Sequence, residues 1–190
     1  MTLILASTSP IRRQMLDAAG VEHEAAAPNV DEAALKARFT RPADIAGELA
    51  SAKALSLSAA GWVIGSDSVV SLGERLFDKA RDRDEAVDHL RHFSGKQMVL
   101  TSAVALAHDG TEDWRHVASA ILNVRELSEE FIASYLDAEW PDVSYCVGVF
   151  RLEGRGVQLF DHIKGDHFTI LGMPLLPLLS ALRDRGLIGS

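Results

Sequence analysis

The sequence predicts an α/β fold with a mixed β-sheet, and three observations support this. Apolar segments of strand length alternate with helix-length segments that are bounded by typical capping residues. Two long predicted strands, at residues 98–107 and 114–124, are joined by residues 108–111, whose Asp-Gly pair is typical of a β-hairpin turn. The alternation favours parallel pairing and the hairpin requires antiparallel pairing, so we expect one sheet that contains both.

Capping residues define the elements in the first half of the chain. Pro10 fits the first position of a helix, where a missing N–H is tolerated, and Gly20 is typical of a helix C-terminus. Ser9 and Asp31 are residue types that cap helix N-termini well. The predicted elements are a strand at residues 3–5, helices over residues 10–19, 32–39 and 43–59, and a buried strand over residues 62–70.

Glycine and serine mark the boundaries in the second half. Gly95 closes a predicted helix over residues 84–93, and Ser128 caps a helix that ends near residue 138. The remaining predicted elements are the two hairpin strands, a glycine-rich stretch over residues 148–156, a strand over residues 157–163 and a final helix from Pro174. No repeat or low-complexity segment interrupts the chain, so we expect a single domain over residues 1–190.

Composition and charge exclude several classes of protein. Hydrophobic residues make up 47% of the 190 residues, which is enough for a sizeable core without disulfides. A formal net charge of −8 argues against binding to nucleic acid or to an anionic membrane, because both need a basic surface. The single cysteine, Cys146, fits a reducing compartment. We therefore expect a cytoplasmic protein that binds a small anionic ligand.

The start of the first predicted helix has the composition of an anion-binding site. Ser7 and Ser9 offer hydroxyl groups, and Arg12 and Arg13 place two cations in the first helical turn. Cations are unexpected there, because a helix N-terminus already carries partial positive charge. Unpaired N–H groups, hydroxyls and guanidinium groups together predict a site for a phosphate chain. The alternative is that both arginines are solvated on the surface.

Asp67 is unusual because it lies inside the apolar run of residues 63–70. An unpaired buried carboxylate is costly, so Asp67 should be paired, protonated or bound to a metal ion. Its small neighbours, Ser66 and Ser68, leave room for a ligand to approach. The alternative is a structural aspartate at a strand end or turn, although carboxylates are disfavoured inside strands.

Two lysines are further candidates. Lys53 interrupts an apolar helix face that Ile45, Leu49 and Leu57 form at four-residue spacing. It either extends to the surface or points into a cleft, and the inferred anion site favours the cleft. Lys79 precedes a predicted helix and, taken alone, is most simply a solvated loop residue.

Other possible metal ligands are weaker. His89 and His92 have a spacing that could bind metal, but no third ligand is near them in sequence, so we interpret them as an ordinary helix face. Asp31 and Glu32 most simply start a helix, although either carboxylate could bind a metal ion.

The segment 5–16 resembles the N-terminal signature of the Maf family of nucleotide pyrophosphatases. Further family motifs follow in order along nearly the whole chain, and their order makes the resemblance specific although each is weak alone. These motifs are Val30-Asp31-Glu32, Ala52-Lys53-Ala54, Gly65-Ser66-Asp67-Ser68-Val69-Val70, Asp78-Lys79, Phe93-Ser94-Gly95, Leu152-Glu153-Gly154 and Gly172-Met173-Pro174-Leu175. The departures are Ile11, Ala80 and Ser102-Ala103, where the family pattern has arginine, proline and Thr-Gly.

The resemblance implies an elongated α/β fold with two lobes around a central cleft, often in a homodimer. It also implies hydrolysis of a nucleoside triphosphate to the monophosphate and pyrophosphate, with Mg²⁺ or Mn²⁺ as the divalent cation. Asp67 would then be the general base that takes a proton from the attacking water. It would also be a metal ligand, with Glu32 as a second.

The same resemblance implies roles for the basic residues. Arg12, Lys53 and Lys79 would balance the charge of the triphosphate, and the turn from Ser7 to Ser9 would supply hydrogen-bond donors. Ile11 stands where the family pattern has its first arginine, which leaves substrate specificity rather than phosphate binding as the role for Arg13.

Two positions resemble the branch of the family that acts on 7-methyl-GTP. The pyrimidine-directed branch carries threonine after the catalytic aspartate and glutamine at the position of Glu153, whereas this chain has Ser68 and Glu153. A carboxylate accepts hydrogen bonds from the N1 and N2 edge of guanine and attracts the cationic methylated ring. The alternative is that Glu153 only structures a glycine-rich loop.

Two other functions are alternatives to this enzyme. One is a regulator of cell division that binds nucleotides without hydrolysing them, but a retained base, Asp67, argues for turnover. The other is phosphate transfer on a substrate without a base, for which Glu153 would be idle. We favour an enzyme that removes unwanted nucleotides from the cellular pool.

Overall fold

The computed structural model describes residues 2–57 and 61–189. The strands are β1 (Leu3–Ala6), β2 (Glu24–Ala26), β3 (Trp62–Leu72), β4 (Arg75–Phe77), β5 (Gln97–His108), β6 (Thr111–Val124) and β7 (Phe160–Lys164). They form one sheet in the order β2-β1-β3-β5-β6-β7, and β4 pairs with β3. Pairing is parallel between β1 and both its neighbours and antiparallel for β3–β4 and β6–β7, so the predicted mixed sheet is confirmed.

The helices alternate with these strands. They are α1 (Pro10–Ala18), α2 (Glu32–Lys36), α3 (Pro42–Leu55), α4 (Arg83–Phe93), α5 (Glu129–Glu139), α6 (His167–Ile170) and α7 (Leu175–Asp184), with 3-10 helices at Asp142–Tyr145 and Arg155–Leu159. Within the described residues, no helix is both long and apolar enough to cross a bilayer.

Local sequence signals placed most boundaries correctly. Asp31 caps α2 through a 3.0 Å bond from the Ala34 N–H, and Ser128 caps α5. The hairpin turn has left-handed φ values of 48° at Asp109 and 77° at Gly110, which a two-residue type I′ turn requires. Side-chain capping and turn chemistry act within a few residues, and this is why the sequence alone could predict them.

The ends of several helices differ from the prediction. α2 ends at Lys36, three residues before the predicted end. α3 ends at Leu55, and the predicted end at Ala59 lies outside the described residues. Ser9 occupies the N-terminal cap position of α1, but its side chain makes no capping hydrogen bond, so the expected cap is wrong.

Three strands also differ from the prediction. The short strands β2 and β4, of three residues each, were missed because three residues are too few to show an alternating pattern. The predicted strand over residues 157–163 begins only at Phe160, because a 3-10 helix occupies Arg155–Leu159.

The chain divides into two compact units. Unit 1 comprises residues 1–68, 101–118 and 166–190, and unit 2 comprises residues 69–100 and 119–165. The core of unit 1 packs β1, α1 and α7 together through side chains such as Leu5, Leu16 and Leu182, which are fully buried. This packing fixes the C-terminal end of β1 and the start of α1, which bear the predicted anion site.

Candidate functional site

The central contact of unit 1 joins β3 to α3. The Lys53 Nζ donates to Asp67 Oδ1 over 2.5 Å, and both side chains are buried, with 8% and 10% of their surface exposed. Lys53 therefore does not extend to the surface, and Asp67 is paired rather than isolated. Of the states that the sequence left open for Asp67, the structure shows the paired one, with Lys53 as the partner.

Gly65 allows this contact to form. A Cβ at Gly65 would lie 2.0 Å from the Ala50 carbonyl oxygen and 2.4 Å from the Ala54 nitrogen, distances that no side chain tolerates. These two atoms belong to the turn of α3 that carries Lys53. Because alternate residues of a strand share a face, Gly65 and Asp67 both face α3, and the missing side chain lets the helix approach.

Glu32 completes a cluster of two carboxylates around one cation. Its Oε1 lies 2.8 Å from Lys53 Nζ, although 45% of its side chain is exposed. The carboxylates of Glu32 and Asp67 thus meet on the same ammonium group, and both are oxygen donors of the kind that Mg²⁺ and Mn²⁺ prefer. Among the described residues, no group of three or more histidine, cysteine, aspartate or glutamate side chains could hold a metal ion.

Arg12 bonds to β3 and to the loop after α6. Its Nη1 donates to the Ser66 carbonyl over 2.9 Å and its Nη2 to Ser68 Oγ over 3.2 Å, so it bonds to the residues on either side of Asp67. Its Nε donates over 2.9 Å to the carbonyl oxygen of Gly172. The structure thus fixes Arg12 firmly next to the carboxylate-bearing segment.

Three polar side chains lie within hydrogen-bond distance of the Gly172 carbonyl oxygen. Besides Arg12 Nε, the hydroxyl groups of Ser66 and Ser68 lie 3.0 and 3.1 Å from it. Gly172 has a φ of +104°, in the region that favours glycine, and a Cβ there would lie 3.3 Å from Ser68 Oγ. The loop after α6 is therefore bonded to both neighbours of Asp67.

Ser102 on β5 extends this network. Its hydroxyl donates to the Thr169 carbonyl over 2.8 Å and shares a 2.8 Å hydrogen bond with Ser68 Oγ. Sequence reasoning noted Ser102 only as a departure from a motif and missed Thr169 and Gly172 as site residues. A signal existed for Gly172, which belongs to a quoted motif, but its bonding partners depend on contacts between distant segments.

The start of α1 leaves its N–H groups without a side-chain cap. The Ser9 N–H donates to Ser7 Oγ over 3.1 Å, and Ser7 is buried. Arg13 is exposed, and the structure describes no ion pair for it. An uncapped helix start beside hydroxyl groups is the geometry that favours a bound anion.

Lys79 and Glu153 both belong to unit 2 and are exposed. Burial raises the pKa of the Cys146 thiol, and the charge of Glu153 raises it further, whereas the charges of Arg151 and Lys79 oppose the shift. Lys79 and Glu153 therefore lie near the same thiol, although they are far apart in sequence. The structure describes no direct contact between Lys79 and Glu153, so their shared part in the site stays a prediction.

The chain is similar to known proteins over nearly its whole length. The family described as Maf-like protein matches residues 2–185. A Rhizobium meliloti protein named 7-methyl-GTP pyrophosphatase is 47% identical, covering 98% of this chain and 97% of its own length. A Hyphomonas neptunium protein named nucleoside triphosphate pyrophosphatase is 44% identical, covering 97% and 96%. The match thus extends over both units.

Proposed function

The chain belongs to the Maf family, and from this premise we propose that it is a nucleoside triphosphate pyrophosphatase. It would cleave the bond between the α-phosphorus and the oxygen that bridges to the β-phosphorus, giving a nucleoside monophosphate and pyrophosphate. The names of relatives that are 43–47% identical support this activity. The single observation that carries the proposal is the buried Asp67–Lys53 pair, because both groups have a role in this reaction.

Asp67 acts as the general base. Its carboxylate accepts a proton from a water molecule whose oxygen forms a bond to the α-phosphorus. The bond from the α-phosphorus to the bridging oxygen breaks, and pyrophosphate leaves with the electron pair. Lys53 donates to Oδ1 of Asp67, and the structure describes no hydrogen bond to Oδ2, so we assign Oδ2 as the acceptor for the water.

The basic residues bind and stabilise the triphosphate. Negative charge moves onto the leaving pyrophosphate during the reaction, and fixed cations stabilise it. We assign this role to Lys53, Arg12 and Lys79, and we assign Arg13 to substrate binding. The uncapped start of α1, with Ser7 and Ser9, would donate hydrogen bonds to the phosphate oxygens.

A divalent cation fits the residues that surround Lys53. Mg²⁺ is commonly held by one or two carboxylates together with the phosphates of the substrate, and Asp67 and Glu32 form such a pair. The ion, when bound, would neutralise phosphate charge and help to align the α-phosphorus for attack. Lys53, which bonds to both carboxylates, would lie beside the ion and add a fixed positive charge near the phosphates.

Glu153 recognises the base, with Ser68 as a further substrate residue. Glu153 is exposed, and the structure describes no hydrogen bond or salt bridge that would occupy its carboxylate. That carboxylate suits guanine and favours its cationic 7-methyl form, so we propose 7-methyl-GTP or another modified nucleotide as substrate. A single functional domain over residues 1–190, a homodimer and a cytoplasmic location stay predictions.

A screen for pyrophosphate release tests the proposed function. Purified protein is incubated with normal and modified nucleoside triphosphates, including 7-methyl-GTP, GTP and UTP, with Mg²⁺ or Mn²⁺. We expect turnover of at least one substrate and its loss in Asp67→Asn, which keeps the shape of the side chain but cannot act as the base. Nucleotide binding without turnover of any substrate would instead support the regulator, and an active Asp67→Asn would remove Asp67 as the base.

A further inference from the structure

The loop that carries Glu153 is held in an unfavourable backbone conformation. This segment, residues 148–156, is called the Glu153 loop below. Gly148 has a φ of +83° and Val149 a φ of +58°, and a β-branched residue rarely adopts a positive φ. Such a conformation persists only when surrounding contacts impose it. Two residues on one face of α5 provide those contacts.

Tyr135 provides the first contact. Its hydroxyl donates a 3.0 Å hydrogen bond to the carbonyl oxygen of Val149, and both residues are buried. Burial raises the pKa of Tyr135, so the hydroxyl keeps its proton and remains a donor. The hydrogen bond thus fixes the strained end of the Glu153 loop to the helix.

Glu139 provides the second contact, one helical turn further along α5. Only 7% of its side chain is exposed, and its Oε2 accepts hydrogen bonds from Arg151 Nη2 at 2.9 Å and Nε at 3.3 Å. The Arg151 Nη1 also lies 3.1 Å from Asp142 Oδ2. Two nitrogens of a rigid guanidinium on one buried carboxylate fix the orientation of Arg151 as well as its position.

The backbone around Glu153 folds closely over Arg151. A Cβ at Gly156 would lie 2.5 Å from the Arg151 carbonyl oxygen and 2.7 Å from its nitrogen, and one at Gly154 would lie 3.4 Å from Glu139 Oε2. The hydrogen bond with Glu139 raises the pKa of Arg151, and the nearby charges of Asp142 and Glu153 add to this. The position of Glu153 is therefore set by a backbone that Arg151 anchors.

We propose that Tyr135, Glu139 and Arg151 form a latch that positions Glu153 for recognition of the nucleotide base. They are positioning residues, since their contacts are with the Glu153 loop. The inference rests on the proposed function, in which Glu153 selects the base. A latch that acts through Glu153 changes selectivity among bases, whereas a contact that only stabilises the fold changes turnover of all substrates equally.

The test compares kcat/KM for 7-methyl-GTP with kcat/KM for UTP in the full-length protein. Arg151→Gln and Glu139→Gln each break the ion pair. Tyr135→Phe removes only the hydroxyl group, so this variant still tests the proposal if the ion-pair variants fail to fold. We expect the preference for 7-methyl-GTP to fall about tenfold in the ion-pair variants, the scale of one carboxylate contact to a base edge. Tyr135→Phe should also lower the preference for 7-methyl-GTP.

A second set of variants identifies the residue through which the latch acts. In a Glu153→Gln background, Arg151→Gln should cause no further loss of selectivity, because the group it positions is gone. Arg155→Gln is the matched control, since Arg155 is exposed within the Glu153 loop itself and the structure describes no ion pair for it. It should leave the preference unchanged.

Two results overturn the latch. One is an equal loss of kcat/KM for both nucleotides, and the other is a selectivity loss of the same size with or without Glu153. Failure of the proposed function looks different, because the unmodified protein would then release no pyrophosphate from any nucleotide.

Discussion

Both units bury a carboxylate beside a basic side chain, but the two pairs differ in the cation and in how it is held. In unit 1, Lys53 places one nitrogen between Asp67 and the half-exposed Glu32. In unit 2, Arg151 places two nitrogens on a single oxygen of Glu139. An ammonium is a compact charge that can change partners, whereas a planar guanidinium is oriented by its partners.

The Lys53–Asp67 pair is therefore suited to a role in the reaction, whereas the Arg151–Glu139 pair is suited to holding the backbone in place. Lys53 and Asp67 can exchange their contact for bonds to phosphate, water or a metal ion without any change of backbone. Breaking the Arg151–Glu139 pair would leave a charge in a buried place and release a strained loop. We therefore expect substitutions in the Lys53–Asp67 pair to reduce turnover, and those in the Arg151–Glu139 pair to affect substrate preference and stability.

The largest expected effect is the loss of activity in Lys53→Met. Removing the ammonium takes away a phosphate cation and the partner of Asp67, so kcat/KM should fall about a hundredfold or more. Pyrophosphate release measures this loss, and thermal unfolding checks that the variant is folded. Lys164→Met, which alters an exposed lysine of unit 2, should retain full activity. A Lys53→Met enzyme of nearly normal kcat/KM would contradict the catalytic reading of this pair.

The next effect is on stability and concerns the close approach of α3 to β3. Gly65→Ala should lower the free energy of unfolding by about 3 kcal/mol, because the new methyl group overlaps backbone atoms that cannot move independently. Gly47→Ala, on α3, is the control, since a Cβ at Gly47 would make only ordinary 3.5 Å contacts. That control should be neutral or stabilising by about 0.5 kcal/mol. Denaturant unfolding measures both, and equal stabilities would refute the packing argument.

A smaller effect is expected at Glu32. Because Glu32 is half-exposed, Glu32→Gln should change stability by less than about 1 kcal/mol. As a proposed metal ligand, its loss should raise the Mg²⁺ concentration needed for half-maximal pyrophosphate release by about tenfold. Glu22→Gln, at an exposed position of the same unit, should leave that concentration unchanged. An unaltered Mg²⁺ requirement in Glu32→Gln would remove Glu32 from the metal site.

The smallest effect is a pH dependence of stability in unit 2. Desolvation lowers the pKa of His89, which packs edge-on against Phe77, and among the described residues its Nδ1 has no hydrogen-bond partner. The folded state therefore binds a proton less readily than the unfolded state, so stability holds above the ordinary pKa of 6.5 and falls as pH drops below it.

Thermal unfolding at pH 7.5 and pH 5.5 tests this dependence. Between these two pH values, the Tm of His89→Gln should fall by about 2 °C less than the Tm of the unmodified protein. His162→Gln, at an exposed position of the same unit, is the control and should behave like the unmodified protein. An identical pH response in His89→Gln would show that another group is responsible.

Sequence reasoning found the parts of the site that are unusual in their local context. Asp67 within an apolar run and Lys53 within an apolar helix face are both costly unless paired, and the structure pairs them with each other. The mixed sheet and most caps follow from patterns of a few residues. Glu139 could not be identified in this way, because acidic residues near the end of a helix are common, and only the structure shows that this one is buried and paired with Arg151.

The hydrogen bonds to the Gly172 carbonyl could not be predicted from the sequence either. Its role depends on a carbonyl group, which every residue has, and on a loop that folds against β3. The family motif marked the segment as important, but only the three-dimensional contacts show that its oxygen accepts bonds from Arg12, Ser66 and Ser68. The single-residue departures at Ile11 and Ala80 have no structural explanation in these contacts.

The Gly172 carbonyl has a consequence for the newly synthesised chain. It lies 106 residues after Ser66, so the ribosome produces both neighbours of Asp67 long before the oxygen that fixes them. A nascent polypeptide that already contains Asp67 and Lys53 still lacks this acceptor. The segment around Asp67 would therefore become ordered only late in translation, and a prematurely terminated product would carry Asp67 and Lys53 without this alignment.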